Sequence, residues 1–249
     1  MMKEFFIDCD GIRLHAKLDR PDETVKGPLC ILFHGFTGHM EEGHIVAARK
    51  AFNDSGISVL RVELYGHGGS DGEFRNHTLY KWVTNALSVV HYAESLDFVT
   101  ELFACGHSQG GLLTMLVGGM CPDVFKALIL LSPAWMIPEH SSKGIVLGRR
   151  FDPGHIPEVI QGDGWELSGD YIRIARTIHP EDAIAAYEGP VFIIHGDEDE
   201  TVPFSYAIKA QELYKNAKLC PIPGADHCFT GHLEEFSQAV RKLELNFDR

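Results

Sequence analysis

Positive charge is scarce in this 249-residue chain: Lys and Arg number 22 against 35 Asp and Glu, a net charge of −13. That balance argues against nucleic acid and anionic membrane surfaces as partners. Cysteine is also used sparingly, at positions 9, 30, 105, 121, 220 and 228, with no C-x-x-C pair and with several of the six inside apolar runs. A thiol placed so behaves as a small hydrophobe, and neither a zinc site nor a disulfide framework is indicated. No apolar stretch approaches the length of a membrane span, and the start, Met1-Met2-Lys3-Glu4-Phe5-Phe6-Ile7-Asp8, lacks the sustained apolar segment of a secretion signal. Internal repeats and low-complexity tracts are absent. A soluble cytoplasmic protein is expected.

What is present is a large apolar fraction, 45%, in a chain long enough to bury one sizeable core. Residues 4–8 and 12–19 read as two strands around the Asp10-Gly11 turn. Short apolar runs then follow at 29–33, 57–63, 102–105, 127–131 and 191–195, with the continuous hydrophobicity of strands covered on both faces, and a last strand is expected near 218–222. Segments of helical spacing separate most of them: His44 to Asn53, Leu79 to Ser95, Leu112 to Met120 and Phe204 to Tyr214, with a closing helix from about 232. This alternation predicts a mostly parallel, doubly wound α/β sheet of eight strands, with any ligand at the carboxyl ends of the strands.

One interval breaks the rhythm. Residues 135–187 are too many for a simple connection and are expected to form a small inserted cap between the core segments 1–134 and 188–249. Within it, Trp165-Glu166-Leu167 and Tyr171-Ile172-Arg173-Ile174 flank Ser168-Gly169-Asp170, which predicts a hairpin, and 173–186 predicts a helix.

The chemistry concentrates at Gly106-His107-Ser108-Gln109-Gly110. A serine between a strand and a helix, with glycines two residues to either side, is presented on a sharp turn with its hydroxyl exposed. Such a hydroxyl needs a base, and the base needs a partner for its second nitrogen. Both should lie after later strands. The run His195-Gly196-Asp197-Glu198-Asp199-Glu200 offers Asp197 and Asp199, and Pro223-Gly224-Ala225-Asp226-His227 offers His227. The acidic run does not satisfy an EF-hand pattern. Backbone donors for an oxyanion are expected from Gln109 and from the loop His34-Gly35-Phe36-Thr37-Gly38. The remaining loop histidines, His34, His67, His107 and His195, are expected in structural hydrogen bonds. The chemistry so assembled calls for no cofactor and no metal.

These motifs, in the order Ser, Asp, His, make the chain look like an α/β-hydrolase. More narrowly it resembles the bacterial cinnamoyl (feruloyl) esterases along nearly its whole length. That likeness rests on His34-Gly35-Phe36-Thr37-Gly38 and Gly106-His107-Ser108-Gln109-Gly110-Gly111 together with Leu131-Ser132-Pro133-Ala134, Ile156-Pro157-Glu158, Asp170-Tyr171-Ile172-Arg173-Ile174-Ala175 and Gly224-Ala225-Asp226-His227-Cys228-Phe229. The superfamily pattern H-G-x-x-D implies Asp199 rather than Asp197 as the triad acid, and the pattern after H-G implies Phe36 as the second oxyanion amide. The resemblance further implies a cap that holds an aromatic acyl group, with Tyr171 bonding a phenolic substituent and Trp165 stacking on the ring, although Gln161-Gly162-Asp163-Gly164-Trp165 departs from the family pattern.

The expectation is therefore hydrolysis of a small aromatic ester through an acyl-enzyme on Ser108. A plant-derived ester would first have to enter the cell, and the chain is compatible with a homodimer. The same triad would serve a monoacylglycerol lipase or short-chain carboxylesterase. A silent ligand-binding protein on this scaffold is disfavoured, because all three triad members are present.

Overall fold

The computed structural model describes residues 1–245. The chain opens with β1 (Met2–Cys9) and β2 (Ile12–Asp19), paired antiparallel about Asp10 and Gly11. Both turn residues have positive φ, 51° and 82°, as a two-residue turn matched to the strand twist requires. There follow β3 (Gly27–Phe33), α1 (Gly43–Asp54), β4 (Ser58–Val62), α2 (Leu79–Glu94), β5 (Val99–His107), α3 (Gln109–Met120) and β6 (Phe125–Leu131).

The long interval holds α4 (Ile137–Ser142), the ribbon β7 (Ile145–Val146) with β8 (Arg149–Arg150), the ribbon β9 (Val159–Gln161) with β10 (Glu166–Ser168), then α5 (Gly169–Ala175) and α6 (Pro180–Ala186). The core resumes with β11 (Val191–Gly196), α7 (Ser205–Leu213), β12 (Ala217–Ile222) and α8 (Leu233–Arg241).

Eight strands form one sheet in the order β1-β2-β4-β3-β5-β6-β11-β12. From β4 to β12 every pairing is parallel, and only β2 runs against its neighbours. Side-chain alternation explains why the inner strands are apolar throughout. On β3, Leu29, Ile31 and Phe33 join the core under α2 and α3, whereas Cys30 and Leu32 join the core under α1 and α8. Among the described residues no helix is long and apolar enough to cross a membrane.

The inserted interval differs from its sequence-based expectation in two places. The expected hairpin about Ser168-Gly169-Asp170 does not form; β10 pairs back onto β9, with Leu167 opposite Ile160. The Ser168 hydroxyl instead accepts the Asp170 N–H at 3.2 Å and caps α5, a role for which serine suits as well as for a turn. The single helix expected over 173–186 is two helices, because Pro180 starts α6 rather than continuing α5. α6 packs on α3 closely enough that a Cβ at Gly119 would stand 2.5 Å from Ala183 Cα.

Candidate active site

Ser108 sits between β5 and α3 with φ 55° and ψ −118°, a conformation that L residues adopt only under constraint. The constraint is visible. Ser108 N–H donates to Leu131 O at 2.9 Å, and Ser108 O accepts from Ala134 N at 2.9 Å and Leu112 N at 3.1 Å. Glycine is obligatory on either side: a Cβ at Gly106 would lie 2.0 Å from Gly110 O, and one at Gly110 would lie 2.4 Å from His34 O. The turn is therefore pinned to β6 on one flank and to the loop after β3 on the other.

Asp199 follows β11. Its Oδ1 accepts N–H groups from Thr201 and Val202, both at 2.8 Å, and its Oδ2 accepts from His227 Nδ1 at 2.7 Å. His195 Nε2 lies 3.1 Å from the same Oδ2 and 2.9 Å from Val202 O. Burial alone would push this carboxyl up, but the bonds from His195 and His227, the charge of His227 and the Val202 amide outweigh it and hold the carboxyl well below its ordinary range. Asp197, the alternative acid, turns elsewhere: its Oδ1 accepts the Gly224 N–H at 2.7 Å.

His227 is anchored twice, through Nδ1 to Asp199 and through its main-chain oxygen, which accepts from His107 Nε2 at 2.8 Å. Its ring centroid stands 4.7 Å from that of His107, the residue immediately before Ser108. Among the described residues Ser108 Oγ and His227 Nε2 form no hydrogen bond. Such bonds are often loose without substrate and tighten once it binds.

The third component is the loop after β3. A Cβ at Gly35 would lie 3.3 Å from Ser108 Cβ, so this backbone runs directly over Ser108. His34 Nδ1–H donates to Gly35 O at 2.8 Å while Nε2 accepts from Leu64 N at 3.1 Å, which fixes a neutral tautomer; burial holds its pKa well down. His67 Nε2 bonds Phe36 O at 2.5 Å. Among the described residues the Phe36 and Gln109 amides have no acceptor of their own, as donors kept for an incoming oxyanion would.

A profile of the family described as serine aminopeptidase, S33, matches residues 26–156, just over half of the chain. The chain belongs to that family. A solved structure of Est1E from Butyrivibrio proteoclasticus with ferulic acid bound is 52% identical, covers 97% of this chain and 98% of its own, and superposes with a TM-score of 0.95. The monoacylglycerol lipase of Mycolicibacterium smegmatis is 26% identical over 97% of this chain and 93% of its own. Human ABHD12B is 28% identical over 76% of this chain, which spans 51% of that relative's length. The chain is thus an α/β-hydrolase and a serine hydrolase of carboxylic esters.

In this hydrolase Ser108 opens into a cavity of about 610 Å³. Phe36, Val202 and Tyr171 line it together with the segment from Met136 to Arg150. Tyr171 is buried, and its hydroxyl donates to Gln109 Oε1 at 2.6 Å, so the tyrosine is tied to the helix that begins just after Ser108. Desolvation raises its pKa and keeps it neutral. Trp165 does not line this cavity; half-buried, it packs edge-on against Phe36 at 5.5 Å.

Two features escaped the sequence reading. His195 supports Asp199, a relation visible only as an i, i+4 spacing across H-G-x-x-D. The ribbon of β7 and β8 with α4 forms much of the cavity wall, including Ser141, whose buried Oγ has no partner, and nothing in the short apolar pairs of that segment signals a wall.

Proposed function

We propose that this serine hydrolase cleaves hydroxycinnamate esters such as ferulates, with the inserted interval 135–187 acting as a cap that holds the aromatic acyl group. The observation that carries the reading is the pairing of a partly enclosed, largely apolar cavity over Ser108 with the 52% identity to a structure that binds ferulic acid. Tyr171 supports it further. Its O–H donates to Gln109, which leaves the phenolic oxygen free to accept from a ring hydroxyl of the acyl group.

In this reading Ser108 Oγ attacks the ester carbonyl while His227 Nε2 takes its proton, and Asp199 stabilises the imidazolium through Nδ1. The Phe36 and Gln109 amides receive the oxyanion. Collapse breaks the C–O bond to the alcohol, which leaves with the proton from His227. Water then attacks the acyl-enzyme, giving its proton to His227 and regenerating Ser108 as the acid departs. Trp165 acts on the ring only indirectly, by backing Phe36.

A second reading, a monoacylglycerol lipase, is favoured by the full-length match to the mycobacterial enzyme and by the aliphatic wall of Ile137, Ile145, Val146 and Leu147. The two separate on kcat/KM for methyl ferulate against an aliphatic ester of similar size. Preference for ferulate, abolished in Ser108→Ala, is expected; preference for the aliphatic ester would transfer the protein to the second reading.

A further inference from the structure

Beside His227 lies a cluster that the ester chemistry does not use. Donor atoms of His44, His107 and Cys228 all fall within 4.8 Å of one another. His44 and His107 are each 3% exposed, and their rings meet at a tilt with centroids 4.0 Å apart. His107 Nε2 donates to His227 O, so its Nδ1 carries a lone pair, and that nitrogen is buried with no partner. His44 Nε2 is buried and unpartnered too. Two orphaned imidazole nitrogens beside a thiol are a costly arrangement unless something occupies it.

A divalent cation of borderline softness fits that donor set. Zinc takes imidazole nitrogen at ~2.0 Å and thiolate sulfur at ~2.3 Å, which sets ligand atoms roughly 3.3–3.8 Å apart in a tetrahedron. The cluster would have to close by about an ångström, and Cys228, the ligand that would move, is half-buried on a loop. Glu42 Oε2 stands 3.9 Å from His44 Nε2 and adds negative charge next to the site. The three ligands come from positions 44, 107 and 228, so no local cysteine or histidine spacing announces them.

We infer that His44, His107 and Cys228 form an inhibitory site for Zn²⁺ or a cation like it, with three protein ligands and one open position. Binding releases the Cys228 thiol proton to solvent and involves no electron transfer. Inhibition follows from connectivity. His107 holds the His227 main chain and precedes Ser108, while Cys228 follows His227, so drawing the two ligands together pulls the base away from the nucleophile.

The test uses untagged full-length protein. Co²⁺ as a spectroscopic stand-in is expected to give a thiolate-to-metal charge-transfer band and tetrahedral visible bands, and Zn²⁺ to displace it and suppress ester hydrolysis until a chelator is added. Cys228→Ala, outside the catalytic machinery, should hydrolyse ester normally, lose the charge-transfer band and resist zinc by at least about 10-fold, since even partners one shell out from a metal are worth that much. His44→Gln should resist likewise; should it fail to fold, Cys228→Ala decides alone. The inference is overturned if wild type shows no charge-transfer band, or if zinc inhibits Cys228→Ala as strongly as wild type.

Discussion

Asp199 Oδ2 accepts from His227 Nδ1 at 2.7 Å and at the same time lies 3.1 Å from His195 Nε2, so one buried carboxylate oxygen serves two imidazoles. An asparagine at 199 would keep its Oδ1 bonds to Thr201 and Val202 but present an amide N–H₂ to His227, which then swaps tautomer and loses Nε2 as a proton acceptor. Asp199→Asn is expected to fold and to lose about 10⁴ in kcat. A loss below about tenfold, measured on methyl ferulate, would show that His227 does not depend on this carboxylate.

The expected and observed architectures agree where the signal is local. The glycines around Ser108 and the apolar runs of β3, β5 and β11 mark backbone crowding and two-sided burial, both of which act within a few residues. The inserted interval was read less well, for the same reason. Ser168-Gly169-Asp170 suits a turn and a helix N-cap equally, and the choice was made by Tyr171, Ile172 and Ala175 packing on the core, information that no local window holds. His195 looked merely structural because its partner Asp199 acquires importance only through His227, 28 residues further on.

Tyr171→Phe removes one hydroxyl from the cavity and one bond to Gln109. The second loss affects any ester, because Gln109 begins the helix behind Ser108. The first should affect only substrates with a ring hydroxyl, by about 1–1.5 kcal/mol. The ratio of kcat/KM for methyl ferulate to that for methyl cinnamate should therefore fall about tenfold. An unchanged ratio would remove Tyr171 from ring recognition.

Gly106→Ala tests the elbow as a structural unit. The added methyl would stand 2.0 Å from Gly110 O and 2.5 Å from Thr114 Oγ1, and the first of these is backbone that β6 and α3 hold in place. Destabilisation of about 4 kcal/mol or more is expected, seen as loss of soluble protein or a large drop in Tm. Near-native stability would mean that α3 can shift along β5, contrary to the tight pinning of Ser108.

Acid should unfold this protein through its neutral histidines. Burial holds His77 down at about 3, with its neighbours His67 and Lys81 also disfavouring a proton there, against 6.5 for an ordinary imidazole; burial lowers His34, His67 and His107 as well. For a lowered histidine the unfolded chain takes up the proton first. The stabilisation is therefore whole above pH 6.5 and is lost as pH falls toward the folded value, at about 1.4 kcal/mol per pH unit for each group. For His77 alone the loss from pH 6.5 to pH 4 comes to about 3 kcal/mol. Denaturant unfolding across that range should show a slope of several protons, and His77→Gln should reduce it by about one. A slope that His77→Gln leaves unchanged would mean that this ring already carries its proton in the folded protein, and that the packing of Phe36, Trp82 and Tyr171 around it tolerates a charge.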